Sequence, residues 1–151
     1  MGSIERAGVI RWWGPVAIYA LALLVGASAS PSSMPGGVSD GTLHAWGYAG
    51  FAVIILRAFG RGRWSRVSAI HALASSVSAT AYGFLMEIWQ LFVPGRFFDW
   101  RDLASDAVGA AAAGAMALIA ARARHVLLRP GTMKRGAQAS VEKEKSAARG
   151  R

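Results

Sequence analysis

The chain has 151 residues, no cysteine, 54% of its residues in the hydrophobic class and a formal net charge of +9. The length suits one compact domain, and the lack of cysteine excludes disulfides, a cysteine nucleophile and thiolate metal sites. The apolar residues gather into four blocks with the basic residues at their flanks, so the charge reads as that of a membrane protein and not of a nucleic-acid binder.

A helix needs about 20 largely apolar residues to cross a bilayer. The first block runs from Trp12 to about Ala29, behind Arg6 and Arg11. Trp12 and Trp13 suit an interfacial aromatic belt, and Pro15 falls where a first helical turn tolerates it. A secretory signal is the rival reading, because Ala27-Ser28-Ala29 resembles a cleavage site. The length of the apolar run and the paired tryptophans favour an anchor. Residues 30–39 read as a loop, with two prolines, two glycines and no lysine or arginine.

The second block spans residues 40–59 and ends near Arg57, which can snorkel to the interface. Arg61, Arg63 and Arg66 follow in a short link. The third block, residues 67–93, is rich in serine and threonine and stops at Pro94-Gly95. The fourth, residues 102–121, is rich in alanine and glycine, and Ala110-x-x-x-Gly114 suits a tight helix crossing. The expected fold is therefore an all-α four-transmembrane-helix bundle over residues 1–121. Residues 122–151 form a basic tail of low hydrophobicity, expected to be disordered or to lie on anionic lipid headgroups.

Four spans place alternate links on alternate sides. Fifteen of the 17 Lys+Arg then fall on one side, and Arg96 and Arg101 are the exceptions. The positive-inside rule puts that side, with both termini, in the cytoplasm. Of the 8 Asp+Glu, Asp40, Glu87, Asp99, Asp102 and Asp106 all fall toward the opposite side, with His44, Gln90 and Arg96. Helical spacing aligns them. Asp40 and His44 are one turn apart, as are Asp102 and Asp106; Thr80, Gly83, Glu87 and Gln90 share one face. Polar groups at membrane depth are costly against lipid, so these faces should meet each other or a water-filled cavity.

Each residue has a functional and a structural reading. Asp40 can bind a ligand or cap the second helix. His44 can ligate a metal or take up a proton, or simply bond to Glu87 or Asp102. His71, alone near the arginine-rich side, reads as packing. Glu87, with Gln90 beside it, can act as a base or ligand, or be locked in a buried pair with Arg96. Arg96 can grip a phosphate or carboxylate through two parallel hydrogen bonds, or pair with Asp99 or Asp102. Asp102 suits the start of a helix electrostatically; Asp106, one turn deeper, does not gain from that. No nucleophile motif, phosphate loop or zinc-helix motif is present, and the sequence implies no cofactor and no resident metal.

Asp40-x-x-x-His44, Glu87-x-x-Gln90, Pro94-Gly95-Arg96-x-x-Asp99-x-x-Asp102 and Gly109 together resemble the VanZ-like family of small bacterial membrane proteins, over roughly Arg11 to Ala121. The family pattern carries Asn where this chain has Asp106, so the position here adds a potential charge. The resemblance implies a multi-pass protein of the bacterial inner (cytoplasmic) membrane and cell envelope, linked to tolerance of teicoplanin-type glycopeptide antibiotics. No biochemical activity is firmly attached to the family. Three functions stay open: an accessory protein whose outer polar cluster binds a lipid-linked or peptide-like cell-wall molecule, an intramembrane enzyme acting on a phosphorylated lipid, and a purely structural membrane partner.

Overall fold

A computed structural model describes residues 3–29 and 39–127. They form four α-helices: α1 (Ser3–Ala27), α2 (Asp40–Phe59), α3 (Ala69–Gln90) and α4 (Trp100–Leu127), with a single 3₁₀ turn at Trp64–Arg66. No strand occurs among the described residues. Each helix contains a segment long and apolar enough to cross a membrane: Ala7–Ala27, Asp40–Phe59, Ala69–Gln90 and Trp100–Arg124. Hydrocarbon offers the backbone no hydrogen-bond partner, so a spanning segment must satisfy its amides internally, and a helix does so.

The helix ends differ from the apolar blocks in detail. α1 begins well before the tryptophan pair. α3 stops at Gln90, and the chain then turns through Pro94 and Gly95, whose φ of 80° lies in the left-handed region that glycine tolerates. α4 continues past Ala121 to Leu127. The expected loop at residues 30–38 and the lipid-facing tail beyond Leu127 lie outside the described residues. Ser39 and Ser68 cap α2 and α3, their hydroxyls accepting the N–H groups of Thr42 and His71.

Large apolar side chains point outward on every helix. Ile18, Trp46, Ile70 and Val108 are each about 70% exposed (72%, 74%, 68% and 68%). A soluble protein rarely carries so much apolar surface, and lipid contact accounts for it. The interior is built from Tyr48, Phe51, Ala52, Ile55, Ala79 and Ala110, with Val16, Tyr19, Leu23 and Tyr82 packed against it. Two tyrosine hydroxyls tie α1 to its neighbours: Tyr19 donates to the Gly47 carbonyl at 3.0 Å, and Tyr82 to the Ala20 carbonyl at 2.7 Å.

Small residues let α4 approach closely. A Cβ on Gly109 would overlap the carbonyl of Ala45 in α2. One on Gly114 would stand 2.8 Å from the Ser76 hydroxyl, which donates to the Ala110 carbonyl at 3.0 Å. The Ala110/Gly114 pair therefore packs against α3 in the manner expected of small residues in membrane helices.

The bundle has two chemically distinct ends. At the arginine end, Trp12 lies 5.1 Å from the Arg11 guanidinium and 5.8 Å from that of Arg57, measured to the ring centroid. Trp12 also packs on Gly62 in the link that carries Arg61, Arg63 and Arg66. His71 belongs to this end; its Nδ1 is 3.1 Å from the Arg66 carbonyl and its ring stacks on Phe59.

The glycine contacts give a direct test. Gly109→Ala should destabilise the protein by about 1–3 kcal/mol, since the clash is with backbone. Gly14→Ala, whose Cβ meets nothing within 4 Å, should leave the unfolding midpoint in detergent unchanged.

Candidate functional site

At the polar end, side chains from α2, α3, α4 and the α3–α4 link converge. Because Ser39 caps α2, the Asp40 carboxylate is not engaged as the cap. It lies 3.2 Å from Arg96 Nη1, while Arg96 Nε donates to the Ala29 carbonyl at 3.3 Å. One arginine thus joins the end of α1, the start of α2 and the α3–α4 link. Its partner is Asp40, not Glu87, Asp99 or Asp102. The Arg96 side chain is 7% exposed and that of Asp40 43%, so the pair sits at the rim of the site.

His44 lies one turn below Asp40. Its Nδ1 is 2.9 Å from Asp106 Oδ1, and its Nε2 is 3.8 Å from Asp102 Oδ2, too far for a hydrogen bond. With an ionised Asp106 accepting, Nδ1 carries the proton and Nε2 turns toward Asp102. The imidazole also stacks on Tyr48, 6.2 Å between centroids. The bond to Asp106 replaces the expected bond to Glu87 or Asp102, and it makes Asp106, deeper in the bundle, the partner that holds His44.

Gly83 explains how Asp106 fits. A Cβ there would overlap the Asp106 carboxylate, so the glycine on α3 makes room for an acidic side chain from α4. Glu87, one turn further along the same face, is fully buried; its Oε2 accepts the Asp99 N–H at 2.9 Å. No arginine or lysine pairs with it among the described residues. Glu87 Oε1 and Asp106 Oδ2 are both buried without a hydrogen-bond partner. Asp99 is peripheral: its carboxylate accepts the Arg101 N–H at 2.7 Å and shapes the entry to α4.

Beside this cluster lies a cavity of about 260 Å³. Asp40, His44, Gln90 and Arg96 form its polar side; Leu23, Leu43, Tyr48 and Met86, with Gly26 and Gly47, form its apolar side. Gln90 is only 2% exposed and lines the cavity. Glu87, Asp102 and Asp106 do not line the cavity.

All eight expected residues therefore gather at one end, with Asp40, His44, Gln90 and Arg96 on the cavity and Glu87, Asp102 and Asp106 behind. The sequence reading missed Tyr48 and the α1 wall. Continuing the Asp40/His44 stripe one more turn would have reached Tyr48. The small residues of α1 gave no distinct signal in an apolar span.

The model of one family, described as VanZ/LLP1, matches residues 42–121. The chain belongs to the VanZ/LLP1 family. With its four apolar helices it is a VanZ-like multi-pass membrane protein. The VanZ/LLP1 match runs from the start of α2 through the apolar part of α4 and includes His44, Glu87, Gln90, Arg96, Asp102 and Asp106; it excludes α1 and Asp40. No curated protein and no solved structure matches the chain.

Because no arginine pairs with Glu87, a charge-neutral change strands no buried cation. Glu87→Gln keeps an oxygen for the Asp99 N–H and should alter stability by no more than about 1 kcal/mol. Glu87→Ala removes that acceptor and leaves a void, with an expected loss of about 2–4 kcal/mol. Unfolding of both variants in detergent checks the pair.

Proposed function

We propose that this VanZ/LLP1 protein is an accessory protein of the bacterial cytoplasmic membrane and cell envelope. Its cavity takes the polar part of a lipid-linked or peptide-like cell-wall molecule, and it contributes to tolerance of teicoplanin-type glycopeptides. The observation that carries the reading is Gln90. A carboxamide in the wall of a cavity offers two donors and an acceptor to a molecule bound there. A ligand with amide groups complements them. The apolar wall from α1 to Met86 suits a hydrocarbon chain.

The surroundings favour binding over catalysis. A general base must come within hydrogen-bond reach of the proton it removes; the unpartnered oxygens of Glu87 and Asp106 belong to residues that do not line the cavity, and His44, which does, is already held by Asp106. Arg96 is already neutralised by Asp40, so a bare phosphate finds no unpaired cation there. The structural reading accounts for the Arg96 and His44 bonds but not for a cavity lined by Gln90.

Thermal unfolding of the detergent-purified protein tests the reading. A lipid-linked muropeptide should raise the midpoint more than undecaprenyl phosphate does, and Gln90→Leu should abolish the difference. Equal shifts in wild type and Gln90→Leu would refute it. Expression in a susceptible host should raise the teicoplanin concentration needed to stop growth, and Gln90→Leu should not.

The same proposal places the arginine end in the cytoplasm with both termini. The chain lacks cysteine, so single cysteines report cleanly. Phe97→Cys should react with a membrane-impermeant maleimide in intact spheroplasts, and Ser65→Cys should react only after lysis. The reverse pattern would invert the topology.

A further inference from the structure

Three acidic or imidazole side chains of the polar end lie close enough to share an ion. One donor atom from each of Asp40, His44 and Asp102 falls within 4.8 Å of the other two. Two donors about 2.1 Å from one ion stand roughly 3–3.5 Å apart at tetrahedral angles. Shifts of about an ångström would therefore bring all three onto a cation.

Proximity of acids is not enough, and three further observations bear on a ligand. First, His44 is already oriented: its Nδ1 is held by the fully buried Asp106 at 2.9 Å, which turns Nε2 toward Asp102. A carboxylate behind the imidazole is the usual arrangement for a metal-binding histidine. Second, the charges do not balance. Among the described residues Asp40 alone of Asp40, Glu87, Asp102 and Asp106 pairs with an arginine, and only His44 otherwise meets these acids. Asp102, 8% exposed, has no hydrogen bond to its carboxylate among the described residues. Third, the Oδ2 of Asp106, the carboxylate that holds His44, is buried with no hydrogen-bond partner among the described residues, while Asp40 and His44 themselves open on the cavity beside Gln90.

We propose that Asp40, His44 and Asp102 bind a first-row divalent cation, with Asp106 positioning His44 and the remaining coordination positions facing the cavity. One imidazole and two carboxylates, with no sulfur, suit zinc or manganese. Three protein ligands with an open position characterise sites that take an exogenous ligand, not closed structural ones. The cation would thus extend the binding reading above by presenting a Lewis-acidic contact to an oxygen of the bound molecule. The sequence carries no metal motif because the ligands come from two helices far apart in the chain.

The test uses cobalt as the only probe, so its failure leaves the lipid-binding experiment standing on its own. Tag-free full-length protein in detergent is titrated with Co²⁺ and followed by visible d–d absorption, then back-titrated with Zn²⁺. The expected result is saturation at one equivalent and displacement by zinc. Asp102→Asn and His44→Gln should bind at least tenfold more weakly, as should Asp40→Asn, whose side chain is exposed and whose fold is checked by helical circular dichroism. Asp106→Ala should weaken binding about 10–100-fold while keeping the stoichiometry. His71→Ala should change nothing. Absence of a band at millimolar Co²⁺, or a band of equal affinity in Asp40→Asn and Asp102→Asn, would overturn the proposal.

Discussion

The bond between His44 and Asp106, 2.9 Å long and closed at the Asp106 side, sets the terms for the rest of the polar end. In water such a contact would be weak. Inside an apolar bundle the alternative is an unsatisfied imidazole and carboxylate, which is far more expensive. Everything around the bond makes room for it. Gly83 on α3 leaves the space that the Asp106 carboxylate fills, and Gly109 brings the α4 backbone against Ala45, one residue from His44. The small residues of α4 thus serve more than generic packing; they set the depth at which an acid from α4 meets a histidine from α2.

The second fastening, Arg96 to Asp40 and to the Ala29 carbonyl, works at the rim. It ties down α1, which contributes little to the polar cluster but supplies one wall of the cavity. The family match begins only at residue 42, so the α1 wall and Asp40 lie outside the matched region while the His44–Asp106 centre lies within it.

Much of this was legible in the sequence. Hydropathy located four spans, because the bilayer imposes a length on each. Helical spacing put Asp40 with His44, Asp102 with Asp106, and Gly83 with Glu87 and Gln90 on shared faces, and the three faces do meet. Spacing cannot say which of five carboxylates a given cation selects, since that depends on helix rotation and relative depth. Arg96 was open among Glu87, Asp99 and Asp102, and it takes Asp40. Asp40 was read as a cap or a ligand, and Ser39 does the capping because its hydroxyl reaches Thr42. The cavity was illegible: it is a property of how α1 leans against α2 and α3, and an apolar span carries no mark of which residues leave a gap.

The central claim is that His44 and Asp106 act as one unit across α2 and α4. A double-mutant cycle measures it most directly, using His44→Ala, Asp106→Ala and the double variant, unfolded by SDS titration in mixed micelles. Interhelical hydrogen bonds in membrane proteins couple by about 0.6–2 kcal/mol. The structure predicts a favourable coupling in that range, with the double variant losing less stability than the two single losses added together. Strict additivity, or coupling of the opposite sign, would contradict it and would mean that the polar end is held together by something other than this pair.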